Sequence, residues 1–212
     1  MSLPQRLLDG YANFRAGRYL EEAGRYRKLG EGQQKPGVMV IACCDSRAAP
    51  ETIFDAGPGE IFVVRNVANL VPPYTPDGGH HATSAAIEFA VLSLEVGSIV
   101  VMGHGRCGGI RAAVRDADPL SHTDFIGSWM RPVKDVARIV PRRPDDSPDV
   151  HEREVERASV EHSLANLRTF PWVRKRENAR ELTLHGAWFD IALGELHHFD
   201  SATASWQAVR PG

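Results

Sequence analysis

Three short apolar runs, each ending on polar or metal-binding side chains, constrain the fold of this chain more than any other feature. Val38-Met39-Val40-Ile41-Ala42 runs into Cys43-Cys44-Asp45-Ser46-Arg47. Ile61-Phe62-Val63-Val64 runs into Arg65-Asn66, and Ile99-Val100-Val101-Met102 leads to His104. A continuous, β-branched run without polar alternation suits a strand covered on both faces, as in a parallel sheet. Parallel neighbours need crossover connections, usually helices. The alternation of strand and helix patterns predicts an α/β fold, a mostly parallel sheet flanked by helices.

Around these runs the spacing predicts further elements. Leu3, Leu7, Leu8, Tyr11 and Phe14 recur at helical intervals, and a second helix covers 19–29. Together they make an N-terminal helical arm over 1–30, which packs on its own domain or reaches over a second subunit. A short helix is expected at 49–54 and a proline-rich loop at 69–79. Thr83 or Ser84 can cap a helix running to 94. That helix is apolar nearly all round, so it should be buried, with a subunit interface as one possible cover. Cys107 opens a helix to 114, and 125–140 is helical by pattern. Asp149 with Glu152 reads as a capping box for a charged helix to about 169. Strands follow at 182–185, 188–191 and 196–199, with a turn at Gly194. The whole, 1–212, reads as one domain: a core over 34–113 and a C-terminal helix with edge strands over 149–212.

Charge and cysteine usage narrow the function classes. A net charge of −2 over 212 residues calls for neither nucleic acid nor an acidic membrane surface as partner. The most apolar stretch, 85–102, is interrupted by Glu88, Glu95 and Gly97 and is no membrane span. The N-terminus carries no secretory leader pattern, so a cytoplasmic location is expected. Three cysteines argue for reduced thiols rather than a disulfide framework.

Those thiols point to a metal. His104 and Cys107 stand at i, i+3, a common zinc half-site spacing. Cys107 also falls at a helix N-terminus, which favours a thiolate. Alone, this pair is more often packing than chemistry. A second half-site at another strand end changes the balance, because open α/β sheets place their sites outside the carboxyl ends of strands. Residues i and i+2 of a strand share a face, so Cys43 and Asp45 point one way and Cys44 the other. Cys43 is then the ligand, Asp45 lies near the metal, and Cys44 is a small buried packing residue. Asp45 and Arg47 can equally be an ordinary ion pair. Two sulfurs and one nitrogen suit one Zn²⁺ per chain and leave the fourth position open, as in catalytic sites. Gly108 and Gly109 leave backbone N–H groups that can meet an anion. A rival reading, Gly103-x-Gly105-x-x-Gly108 as a dinucleotide fingerprint, fails downstream. No strand pattern follows in 115–124, and Arg106 and Cys107 would crowd a pyrophosphate.

The paired motifs Cys-x-Asp-Ser-Arg and His-x-x-Cys resemble the β-class carbonic anhydrases. The likeness extends through 60–74 and 85–91, covers 34–113 closely, and returns at 184–191. The resemblance implies zinc held by Cys43, His104 and Cys107, with Asp45 and Arg47 as a catalytic dyad. It implies four parallel strands plus an edge strand, assembled as a homodimer or a higher multiple of dimers. In the plant-type branch, Gln34, Phe62 and Val67 match pocket positions and Gly108 matches a backbone donor. Phe89 stands where that branch has tyrosine. Ala48-Ala49 follow Arg47, unlike the Val-Gly of another branch, which favours the plant-type site. The implied activity is reversible hydration of carbon dioxide to bicarbonate and a proton, by water activated at the zinc and oriented by the dyad. His80 and His81 are proton-relay candidates or plain solvated loop histidines. Two alternatives remain: a zinc hydrolase of carbon disulfide or carbonyl sulfide, and a non-catalytic zinc or thiol redox sensor.

Overall fold

The computed structural model describes residues 3–210; Met1, Ser2, Pro211 and Gly212, the outer ends of the expected arm and domain, lie outside them. The three apolar runs become β1 (Val38–Cys43), β2 (Ile61–Asn66) and β3 (Ser98–His104). They join β4 (Thr183–Asp190), β5 (Glu195–Asp200) and β6 (Ser205–Ala208) in one sheet of order β2-β1-β3-β4-β5-β6. Pairing is parallel from β2 to β4 and antiparallel from β4 to β6. The four parallel strands are therefore as expected, but the edge carries two antiparallel strands rather than one.

The helices are α1 (Gln5–Ala16), α2 (Arg18–Glu31), α3 (Pro50–Ile53), α4 (Ala82–Glu88), α5 (Gly108–Val114), α6 (Phe125–Ile139), α7 (Pro148–Leu167) and α8 (Pro171–Asn178). No helix among the described residues is long and apolar enough to cross a membrane. One face of the sheet, with Met39, Ile41, Ile99 and Val101, is sealed by Ile87, Val91, Val160, Leu164 and Phe170. The opposite face buries Val40, Ala42, Met102 and Ala187 but leaves Val38, Val63 and Val100 only partly covered.

Several local expectations are corrected. The strands expected at 182–185 and 188–191 are one strand, β4. Gly186 interrupts the apolar pattern, yet a Cβ there would lie 3.0 Å from Phe199 and 3.1 Å from Val160, so the neighbours pack closely over the bare backbone. Thr83 does not cap α4; it lies inside the helix and its hydroxyl accepts from Asn66 Nδ2 at 3.2 Å. Asp149 and Glu152 form no capping box: no side chain caps α7, and Glu152 is bonded instead to Arg111 (3.2 Å) and Arg115 (2.8 Å). Tertiary charge pairing took the carboxylate that local capping would have used. α8 and β6 carry too few apolar residues to register as patterns.

The helix after residue 82 widens into a π-type turn over Phe89–Ser93 and is only half buried. Ile87, Ala90 and Val91 face the core, while Phe89 is 46% and Leu92 53% exposed. The expectation of full burial fails because one chain supplies cover on one side only. The arm behaves alike: α1 and α2 bury none of their residues. They lean on each other through Phe14, 5.8 Å from both Tyr19 and Tyr26, and leave Leu7 and Tyr11 exposed.

Candidate metal centre

The first ligand segment is fixed by backbone. β1 ends at Cys43, level with Asn66 of β2, and the Cys44 N–H donates to Asn66 O at 3.0 Å. Arg65 clamps the turn, donating from Nε to Cys43 O at 2.8 Å and from Nη2 to Asp45 O at 2.7 Å. Cys43 is buried and Cys44 is exposed. The alternation of faces thus holds, but the expectation that Cys44 is a buried packing residue is wrong. Its face of the chain has already left the sheet.

The second segment comes from β3 and the start of α5. Cys107 is the residue before α5, with extended backbone at φ −65° and ψ 119°. His104 is 1% exposed, and its Nδ1 lies 3.0 Å from Gly105 O. A carbonyl only accepts, so Nδ1 carries the proton and Nε2 keeps its lone pair. That Nε2 is buried without a hydrogen-bond partner.

Cys43, His104 and Cys107 bring their ligand atoms within 4.8 Å of one another, all buried. The orphaned Nε2 beside two sulfurs is what a zinc site requires, and the residues fit the ion: three protein ligands with a position to spare. The Cys107 thiol beside it holds the Cys43 thiol far below its usual value, to about 4. The same contact, with burial, pushes Cys107 up. Burial pulls the His104 imidazole down, but the Cys43 sulfur, Gly105 O and Asp45 together more than offset this, and the net shift is upward. A further N–H reaches the first sulfur: Ala68 N lies 3.4 Å from Cys43 Sγ. Ala68 achieves this at φ +63°, and Asn69 follows at φ +49°. Left-handed backbone at two non-glycine residues is strain held by its surroundings.

Asp45 lies beside this cluster. Its carboxylate accepts a two-pronged fork from Arg47, Nε to Oδ1 at 2.9 Å and Nη2 to Oδ2 at 2.7 Å, plus the Arg47 N–H at 3.0 Å. These bonds hold the carboxyl well below the usual carboxylate range. Asp45 Oδ2 is 3.9 Å from His104 Nε2. Arg47 Nη2 also donates to Arg106 O at 3.2 Å, tying the two ligand segments together.

The expected pocket residues do not gather on one chain. Val67 packs in the apolar cluster that holds Cys43 and Cys107. It also lines a cleft of about 480 Å³ together with Asn66, His80, His81 and Trp129. Gly108 is exposed at the mouth of α5. Phe62 and Phe89 stack on each other at 5.9 Å, but at the far end of β2 from Asn66. Four residue steps along the strand separate the two levels, about 13 Å at ~3.3 Å each. Gln34 sits exposed in the loop before β1. His81 is engaged with Asp77, Nε2 to Oδ1 at 2.6 Å.

Pattern reading misses Arg65, Ala68, Glu156 and Trp188. Arg65 directly follows a strand run, a signal that could have found it. Glu156 has no such signal, since its partner Cys107 is distant in sequence. It is 2% exposed and accepts from Cys107 N at 2.9 Å and Trp188 Nε1 at 3.1 Å. Burial pushes its carboxyl up to about 7, against the pull of those two bonds.

The carbonic anhydrase family model matches residues 38–196. The chain is 36% identical over 179 residues to beta carbonic anhydrase 5, chloroplastic, of Arabidopsis thaliana, covering 84% of this chain and only 58% of that relative's length. The structure of the beta-carbonic anhydrase CcaA superposes with a TM-score of 0.89 at 27% identity, over 98% of this chain and 92% of that one. A tetrameric beta-carbonic anhydrase of Sordaria macrospora gives 0.79 at 28% identity, over 96% and 98%. On a match spanning most of the sheet and both ligand segments, this chain belongs to the β class of the carbonic anhydrase family.

Proposed function

We propose that the chain catalyses reversible hydration of carbon dioxide to bicarbonate and a proton, with a plant-type site in the cytoplasm. The observation that carries this is the buried Cys43–His104–Cys107 cluster with the Asp45–Arg47 fork at its edge. Zinc, when bound there, supplies Lewis acidity that lowers the pKa of water from about 15.7 towards about 7. Asp45 acts as the hydrogen-bond acceptor that turns an oxygen lone pair towards the substrate carbon. Arg47 keeps Asp45 ionised and aimed. A C–O bond forms, one C=O electron pair moves onto oxygen, and the proton passes to buffer. His80 and His81, at the rim of the adjoining cleft, are imidazoles placed to take it on the way. Carbon dioxide is apolar and small, so Val67 serves as wall and the Gly108 N–H as donor. Three free thiols, two of them in one site, suit a reducing compartment.

The same proposal makes 1–212 one working domain whose pocket is completed by a second copy. Gln34, Phe62 and Phe89 lie at the other end of the strands from their own Cys43, and Phe89, Leu92, Leu7 and Tyr11 are apolar groups left exposed by a single chain. The partly covered sheet face asks for cover as well. A homodimer, or a multiple of it as in the tetrameric Sordaria relative, answers both needs. Phe89→Asp would bury an unpaired charge in that contact. It should raise the dimer dissociation constant by about tenfold or more, the equivalent of ~1.4 kcal/mol. Light scattering on a dilution series would read this, with zinc content unchanged and activity lowered.

Stopped-flow hydration of carbon dioxide, with zinc counted per chain, tests the activity. Hydration that disappears on chelation and returns with zinc supports it. Full zinc occupancy with only the buffer rate would overturn it.

A further inference from the structure

α7 carries a polar seam where a core-facing helix normally presents hydrocarbon. Glu152, Glu156, Ser159 and Ser163 follow one another at helical spacing and all are buried. They alternate with Val155, Val160, Leu164 and Leu167 of the core. Burying a carboxyl group costs free energy unless its oxygens are bonded, and a packed apolar residue would serve stability better. Glu152 answers to Arg111 and Arg115 at the rim. Ser163 receives the Val71 N–H at 3.2 Å. Glu156 alone reaches into the ligand segment.

Its two oxygens meet two donors. Oε1 takes the backbone N–H of Cys107 and Oε2 takes the Trp188 indole N–H. Trp188 is 2% exposed and lies beside the residues that flank His104: a Cβ would sit 3.5 Å from its side chain at Gly103 and 3.1 Å at Gly105. Gly105 O is the acceptor that orients the His104 imidazole. The Arg157 guanidinium stacks over the Trp188 ring at 4.7 Å, with Trp206 at 5.7 Å from the same group. One anchored indole thus lies beside the backbone next to His104 and reaches Cys107 through the Glu156 carboxyl.

We propose that Glu156 and Trp188 are positioning residues, a buried carboxyl–indole brace that sets the main chain at Cys107 and Gly105 so that Cys107 Sγ and His104 Nε2 converge on one metal ion. The proposal rests on the zinc reading above but not on the substrate. A backbone N–H that a carboxyl oxygen holds cannot rotate without leaving that oxygen unpaired, so the Cys107 side chain inherits the direction. The bond pattern is also specific. Two acceptors face two donors, and a glutamine amide offers only one acceptor, so Glu156→Gln must set its NH₂ against one of the N–H groups. Trp188→Phe deletes one donor and with it that conflict.

The test uses the full chain loaded with zinc or cobalt(II). Partners behind metal ligands typically carry about 10–100-fold in metal affinity. Glu156→Gln should release zinc to a chromophoric chelator faster by a factor in that range, and should shift the cobalt(II)–thiolate absorption. Adding Trp188→Phe to Glu156→Gln should recover part of the lost retention, so the two changes are not additive. Unchanged zinc release and an unchanged cobalt spectrum in Glu156→Gln would overturn the brace. So would losses that simply multiply in the double variant, since bulk packing alone predicts that. If Glu156→Gln yields no folded protein, Trp188→Phe carries the test by itself: faster zinc release with a shifted cobalt spectrum supports the brace, and no change in either overturns it. A chain whose zinc retention responds as expected, yet which hydrates no carbon dioxide, leaves the brace standing and removes only the activity reading.

Discussion

Cys107→Ala should remove zinc and carbon dioxide hydration together. The thiol belongs to the buried Cys43–His104–Cys107 group that could hold the metal and is 1% exposed. Among the described residues that group has no fourth member, and the adjacent Asp45 carboxylate is held by Arg47. Two remaining ligands are too few for a tetrahedral ion that binds through three protein atoms. Zinc per chain should fall from one to near zero, and the hydration rate to that of buffer. The fold should survive, since alanine in place of cysteine removes one sulfur from a cluster still held by Ile110, Met130, Val133 and Val155. Cys44→Ala is the matched control. That thiol is exposed and on the other side of the chain, so zinc and rate should both stay at the wild-type level. Full zinc with a normal rate in Cys107→Ala would sink the ligand assignment, and a large loss in Cys44→Ala would show that the wrong sulfur was chosen.

Asp45→Asn should leave zinc in place and lower kcat by about 10²-fold, the scale expected when a reacting group is misaligned. The substitution keeps the shape but replaces one acceptor oxygen by an NH₂. Both oxygens now face Arg47 donors, so the amide must turn one N–H against another or break the fork. The acceptor 3.9 Å from His104 Nε2 is then lost or displaced. Asp45 is no ligand in this reading, so metal analysis separates the outcome from that of Cys107→Ala. The expected signature is full zinc with a depressed kcat and little change in KM, because an aspartate that only orients does not bind carbon dioxide. An unchanged kcat would reduce the Asp45–Arg47 pair to an ordinary ion pair, the other reading its sequence allows.

How much of this is legible in residues alone depends on how local the physics is. The three β-branched runs become β1, β2 and β3 because an uninterrupted apolar run has few ways to bury itself. Two-residue alternation along β1 separates Cys43 from Cys44, and i, i+3 spacing joins His104 to Cys107. The same local logic fails at Thr83 and at Glu152. Both have a second partner, Asn66 for Thr83 and Arg111 and Arg115 for Glu152, whose distance along the chain no local rule can see. It fails again at Cys44, where alternation predicts a direction but not whether the sheet is still there to cover it.

The pocket residues mark the limit differently. Gln34, Phe62 and Phe89 rest on resemblance, and each stands away from the metal cluster of its own chain. In the proposed assembly their role depends on the docking of a second copy, which spacing along one chain does not encode.

The three central strands, their parallel pairing and the candidate trio Cys43, His104 and Cys107 were determined by sequence, since each follows from short-range periodicity and from the donor chemistry of sulfur and imidazole. Only tertiary structure decided that Nε2 rather than Nδ1 of His104 is free, because that follows from the turn that sets Gly105 O beside the ring. Only tertiary structure brought Glu156 and Trp188 behind Cys107. A hydrogen bond between groups far apart along the chain forms after the helix and the sheet have packed, and its energy depends on a burial that no single segment possesses.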